Sequence, residues 1–188
     1  VDNKMRQMNW PNILTLSRII LIPFFIVVFY LPVAAAHFWA GVIFSLAAIT
    51  DWLDGYLARR LAQTTRLGAF LDPVADKMMV VAALVILVEQ YADWLISLPA
   101  MVILSREIAI SALREWMAEI GKRAHVAVSL IGKIKTALQM IAMIGLVVLP
   151  VGFSFWNDVF IFILYLSVFL TIWSMVIYLR AAWDDLMS

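Results

Sequence analysis

The chain has 188 residues, 65% of them hydrophobic and 14% charged, against about 25% charged in an ordinary soluble domain. This balance excludes a soluble globular domain and predicts an integral membrane protein. The absence of cysteine excludes disulfides and thiolate-held metals; His37 and His125 are too few for a histidine-built metal site, and a net charge of +1 gives no footprint for nucleic acid, which is not expected as a partner.

At the N-terminus Lys4 and Arg6 precede an apolar run ending at Ala34, Ala35 and Ala36, which imitates a cleaved leader. The run is roughly 20 residues long, beyond the ~7 to 15 of a leader core, and Arg18 interrupts it, so it reads as a first span with residues 1–4 as a remnant ahead of Met5. Six apolar segments are expected in all, at 13–36, 38–57, 73–88, 94–112, 128–149 and 159–179. A lipid-exposed chain must satisfy its backbone internally, so the expected fold is all-α: a six-transmembrane-helix bundle forming a single domain over residues 1–188. Pro23 and Pro32 are expected to bend or finish the first helix, and Pro99 to act likewise in the fourth. Trp10, Trp39, Trp94 and Trp156 fall near span ends, where indole rings favour the headgroup region.

The connections between spans alternate sharply in charge. Lys4, Arg6 and Arg18 precede or begin the first span. Arg59, Arg60, Arg66 and Lys77 flank the second connection; Arg106, Arg114, Lys122, Arg123, Lys133 and Lys135 flank the fourth; Arg180 ends the chain. The other three connections carry no lysine or arginine, so the positive-inside rule places both termini and the even-numbered connections in the cytoplasm.

Beside the second connection stand Asp51, Asp54, Asp72 and Asp76. An acid at mid-bilayer costs roughly 2.5 to 3.5 kcal/mol on insertion scales, so intramembrane acids mark a cavity, a partner or a functional site. On a helix Asp51, Asp54, Gly55 and Ala58 share a sector of roughly 100°, and Gly68, Asp72 and Asp76 one of about 80° if the helical turn already includes Gly68. Clustered carboxylates raise one another's pKa unless cations compensate, and oxygen-only ligands select magnesium, manganese or calcium. Asp72 before Pro73 also reads as a helix N-cap, Asp76 beside Lys77 as a local ion pair, and intramembrane acids as a transporter pathway. Crowding at one cytoplasmic end, without paired broken spans, weighs against transport.

The complete pattern DxxDGxxAR, eight residues, then GxxxDxxxD resembles that of the CDP-alcohol phosphotransferases. The wider resemblance includes PNxLTxxR at 11–18, LDPVADK at 71–77, REIxISALREWMAE at 106–119 and GKxKT at 132–136. It implies transfer of a phosphatidyl group from CDP-diacylglycerol to glycerol 3-phosphate with release of CMP, at a cytoplasm-facing site in the bacterial inner membrane, by a protein whose relatives form homodimers. It further implies two divalent cations, magnesium or manganese, on Asp51, Asp54, Asp72 and Asp76, with Asp76 also the general base. Asn12, Thr15, Arg18, Asp54, Gly55, Ala58, Arg59 and Gly68 would bind CDP-diacylglycerol. Arg106, Arg114, Lys133 and Lys135 would bind the acceptor phosphate; all four also stand where topology alone wants cations, and Glu107 and Glu115 are placed to pair with the arginines. The shared motif leaves open other acceptors: phosphatidylglycerol, inositol phosphate or serine.

Overall fold

The computed structural model describes residues 10–61, 66–121, 130–149, 151–152 and 154–186. The described residues form six α-helices and no strand: α1 (Trp10–Phe29), α2 (Ala36–Leu61), α3 (Arg66–Tyr91), α4 (Trp94–Glu119), α5 (Leu130–Val148) and α6 (Phe155–Leu186). Two of them, over Trp94–Glu119 and Phe155–Trp183, are long and apolar enough to cross a membrane; shorter apolar stretches lie in α1, α2 and α5. The chain divides into one unit of Val1–Ile86 with Val147–Pro150, and another of Leu87–Leu146 with Val151–Ser188.

In the first unit α1 packs on α2. Thr15, Arg18, Ile22, Phe25 and Phe29 are buried at alternating three- and four-residue intervals, one stripe of the helix. The opposing stripe of α2 is mostly small, with Ala36, Ala40 and Ala47 buried around Ile43 and Phe44, which lets the backbones approach. The rings of Phe25 and Phe44 meet at 5.5 Å between centroids, and Phe29 stacks on His37 at 4.7 Å. The outward faces stay apolar, Ile20, Phe24, Val27, Leu46 and Ile49 all being exposed.

Helix α1 ends at Phe29, seven residues short of the expected span end. Pro32 explains the stop, because it offers no N–H and disfavours the α conformation at the residue before it. Pro23, Pro73 and Pro99 instead lie inside helices. The turn into α4 is held by Asp93, whose carboxylate accepts from the backbone N–H of Leu95 at 3.0 Å. The helix then runs past the expected boundary to Glu119, closed by Gly121 at φ 77°.

In the second unit α4 packs on α6. Ile96, Ala100, Ile103, Arg106, Ile110, Leu113 and Met117 form the buried stripe of α4; Leu164, Ser167, Thr171, Ser174, Tyr178 and Ala182 form that of α6. The hydroxyl of Tyr91 donates to Asn157 Oδ1 at 3.2 Å, and the amide of Asn157 donates to the Gly152 carbonyl at 2.8 Å. Gly145, which shows no readable role in sequence, lies directly under the Phe160 ring: a Cβ there would sit 2.5 Å from three ring carbons. Gly145→Ala is therefore expected to lower stability by about 1 to 3 kcal/mol through overpacking, read as a fall in the detergent-solubilised unfolding midpoint; an unchanged midpoint would contradict the close approach.

Candidate active site

Helix α2 carries Asp51, Asp54, Gly55, Ala58 and Arg59, and α3 carries Gly68, Asp72 and Asp76. Because α3 already begins at Arg66, the condition on the second face is met: Gly68, Asp72 and Asp76 lie on continuous helix within about 80°. The same observation overturns the N-cap reading of Asp72, since six helical residues precede it and Pro73 is interior.

The two helices are joined by residues 62–65, so Leu61 and Arg66 are at most about 18 Å apart. Counted at a rise of ~1.5 Å per residue, Asp54 and Asp72 each lie about 10 Å along their helices from these ends, and Asp51 and Asp76 about 15 Å. Asp54 and Asp72 are thus matched in distance along the helix from the connection, as are Asp51 and Asp76. The side chains of Asn12, Asp54, Gly55, Ala58, Arg59, Asp72 and Lys133 lie outside the described residues. Among the described residues no three histidines or acids group as a metal site.

Asp51 is half-exposed and accepts from Arg18 Nη1 at 2.5 Å. Arg18 itself is 1% exposed, on the buried stripe of α1 that also holds Thr15 one turn earlier. A buried guanidinium is retained only where charge and hydrogen bonds compensate its lost hydration, and the carboxylate provides both. Thus one residue expected to hold the nucleotide donor directly touches one expected to hold metal. Sequence gave no sign of this pair, which is separated by 33 positions. Gly68 is buried and Asp76 half-buried, both engaged in interactions.

The expected acceptor residues gather in the second unit. Arg106, 6% exposed, donates from Nη1 to Glu107 Oε1 at 2.6 Å and from Nη2 to Ser174 Oγ at 3.2 Å. Lys135, equally buried, donates to the same Glu107 oxygen at 3.4 Å. The Cζ atoms of Arg106 and Arg114 stand 6.0 and 5.5 Å from the ring centroid of Tyr178. Three of the four cations expected at the acceptor phosphate are therefore brought together, and Glu107 pairs with two of them. Among the described residues the Arg106 Nε–H finds no acceptor. An unpaired buried donor costs about 1 to 3 kcal/mol, and it leaves this guanidinium a hydrogen bond to offer an oxyanion.

The first unit thus carries four acids on two helices consecutive in the chain, and the second unit carries a cluster of cations around Glu107 and Tyr178. The chain belongs to the CDP-alcohol phosphatidyltransferase family, which it matches over residues 8–173. It is 55% identical over 183 residues to a CDP-diacylglycerol–glycerol-3-phosphate 3-phosphatidyltransferase of Shigella flexneri serotype 5b (strain 8401), covering 97% of this chain and 99% of the relative. A protein of the same name from Escherichia coli (strain K12) is 54% identical over the same shares of both chains. Family membership decides against the transport reading of the acids.

Proposed function

We propose that this chain transfers the phosphatidyl group of CDP-diacylglycerol to glycerol 3-phosphate, giving phosphatidylglycerol phosphate and CMP. The observation that carries this reading is the unbroken acid pattern from Asp51 to Asp76 in a chain 55% identical, over 97% of its length, to transferases of that name. Residues 1–188 act as one catalytic domain, a six-span bundle in the bacterial cytoplasmic (inner) membrane with both termini and the active site on the cytoplasmic side. Two long apolar helices, the outward apolar faces of α1 and α2, and the confinement of lysine and arginine to alternate connections support this placement. The family resemblance implies a homodimer.

Asp51, Asp54, Asp72 and Asp76 fit two divalent cations, magnesium or manganese: the donors are all hard carboxylate oxygens, and the acids are matched in distance along α2 and α3 from the connection. When bound, such cations neutralise the donor's diphosphate and polarise the phosphorus under attack. Arg18 fixes the Asp51 carboxylate through the observed ion pair and, with Arg59, offers positive charge to the diphosphate. Asn12 and Thr15 provide polar contacts to the nucleotide, while Gly55, Ala58 and Gly68 leave room for it. Arg106, Arg114, Lys133 and Lys135 bind the phosphate of the acceptor.

Asp76 takes the proton of the acceptor hydroxyl. That oxygen bonds to the phosphatidyl phosphorus as the opposite bond, from phosphorus to the CMP oxygen, breaks; CMP leaves with the electron pair. Purified protein supplied with CDP-diacylglycerol and radiolabelled glycerol 3-phosphate is expected to put label into a phospholipid product, to stop in chelator and to resume with magnesium or manganese. Unlabelled serine, inositol phosphate or phosphatidylglycerol should not compete; a competitor used in preference would overturn the acceptor, and chelator-resistant turnover would overturn the metal site.

A further inference from the structure

Ser174 and Tyr178 belong to no motif noted above and lie past residue 173, where the family match ends. Both are nearly fully buried on α6. Tyr178 sits among Ile110, Leu113, Met117 and Ala182, an apolar cluster that alone would assign it to packing. Its ring, however, also receives two guanidinium groups, those of Arg106 and Arg114, at 6.0 and 5.5 Å. These arginines are eight residues apart, about 12 Å along α4, so a single ring bridges two cations that the helix itself would hold apart.

Ser174 controls the same arginine from another side. Its hydroxyl donates to the Thr171 carbonyl at 2.9 Å, so its only proton is committed to backbone and a lone pair is left to accept from Arg106 Nη2. With Nη1 on Glu107 and the Cζ near the Tyr178 ring, the plane and roll of the guanidinium are fixed from three directions. Its Nε–H keeps no acceptor among the described residues.

We propose that Tyr178 and Ser174 are positioning residues for the acceptor: they hold Arg106 and Arg114 in one preformed arrangement that receives the acceptor's phosphate. The inference rests on the proposed function, because it takes these arginines to be the phosphate-binding cations. Preorganisation lowers the ordering entropy lost when the dianion binds, so its removal raises acceptor KM while the chemical step and the donor are spared.

The test is steady-state kinetics on the full-length protein in detergent, varying glycerol 3-phosphate and CDP-diacylglycerol separately. Tyr178→Leu is expected to raise acceptor KM roughly 5- to 30-fold, the loss of two cation–π contacts, with donor KM and kcat within about twofold of the parent. Tyr178→Phe, which keeps the ring, recovers most of the loss. Ser174→Ala raises acceptor KM about 3- to 10-fold, and Ser174→Thr, which restores a hydroxyl, recovers it. A packing role predicts something else: less folded enzyme and an equal loss for both substrates, with no rescue by Phe beyond its bulk. Unaltered acceptor KM in Tyr178→Leu, or equal rises for donor and acceptor, overturns the proposal. Should Tyr178→Leu fail to fold, Ser174→Ala decides alone, and an unaltered acceptor KM there overturns it. Absence of turnover with glycerol 3-phosphate in the unmutated protein overturns the function reading instead, and is seen before any variant is compared.

Discussion

Asp76→Asn is expected to lower the rate of CMP formation by about two to four orders of magnitude while donor binding stays near that of the parent. The substitution keeps the size and polarity of the side chain on α3 but removes its capacity to take a proton. Asp76 is half-buried, ten residues into the helix, at the depth along α3 that Asp51 has along α2. A ligand whose main task is metal binding gives a different signature. Asparagine then weakens cation and donor together, and extra magnesium restores part of the rate. Rapid-quench measurement of CMP alongside equilibrium binding of CDP-diacylglycerol separates the two: a slow step with intact binding supports the base, and parallel loss of metal and donor affinity contradicts it.

Arg106→Ala is expected to raise acceptor KM roughly 10- to 150-fold, the worth of about 1.5 to 3 kcal/mol for a hydrogen bond to a charged group. It is also expected to destabilise the protein. Removing the guanidinium leaves the Glu107 carboxylate with Lys135 as its counter-charge among the described residues, and strands the Ser174 lone pair inside the α4–α6 packing. Arg106→Lys should rescue little, because one ammonium cannot serve Glu107, Ser174 and a phosphate oxygen with the planar fork that the site is built around. Kinetics on the folded fraction, isolated by size-exclusion chromatography, would show the KM effect apart from the loss of material; an acceptor KM unchanged in that fraction would remove Arg106 from the phosphate site.

Six apolar segments in sequence correspond to six helices among the described residues, two of them long and apolar enough to cross a membrane. The boundaries differ for a physical reason. Hydropathy reads the apolar part of a helix, whereas its hydrogen-bonded ladder continues wherever the backbone allows: α3 begins seven residues before the apolar segment at Pro73, and α4 runs seven residues beyond Ala112. At α1 the opposite holds, since Ala34 to Ala36 are apolar but lie beyond the proline that stops the helix.

The acids were legible because a carboxylate in an apolar segment is costly and their spacing matches a helix face. Less could be read of what holds their neighbours. The Arg18–Asp51 pair and the Arg106–Ser174 bond link residues 33 and 68 positions apart, and only packing brings these together. Tyr178 resembles any aromatic of a long apolar helix until two guanidinium groups are found against its ring. Glu107, by contrast, was marked by adjacency to Arg106, and it pairs with that residue.

The most direct test of the central claim is CMP release by purified protein with CDP-diacylglycerol, with and without glycerol 3-phosphate, in magnesium and then in chelator. Release that requires both glycerol 3-phosphate and the divalent cation is the predicted result. Folded protein that releases no CMP under these conditions, or releases it only with a different alcohol, would contradict the account.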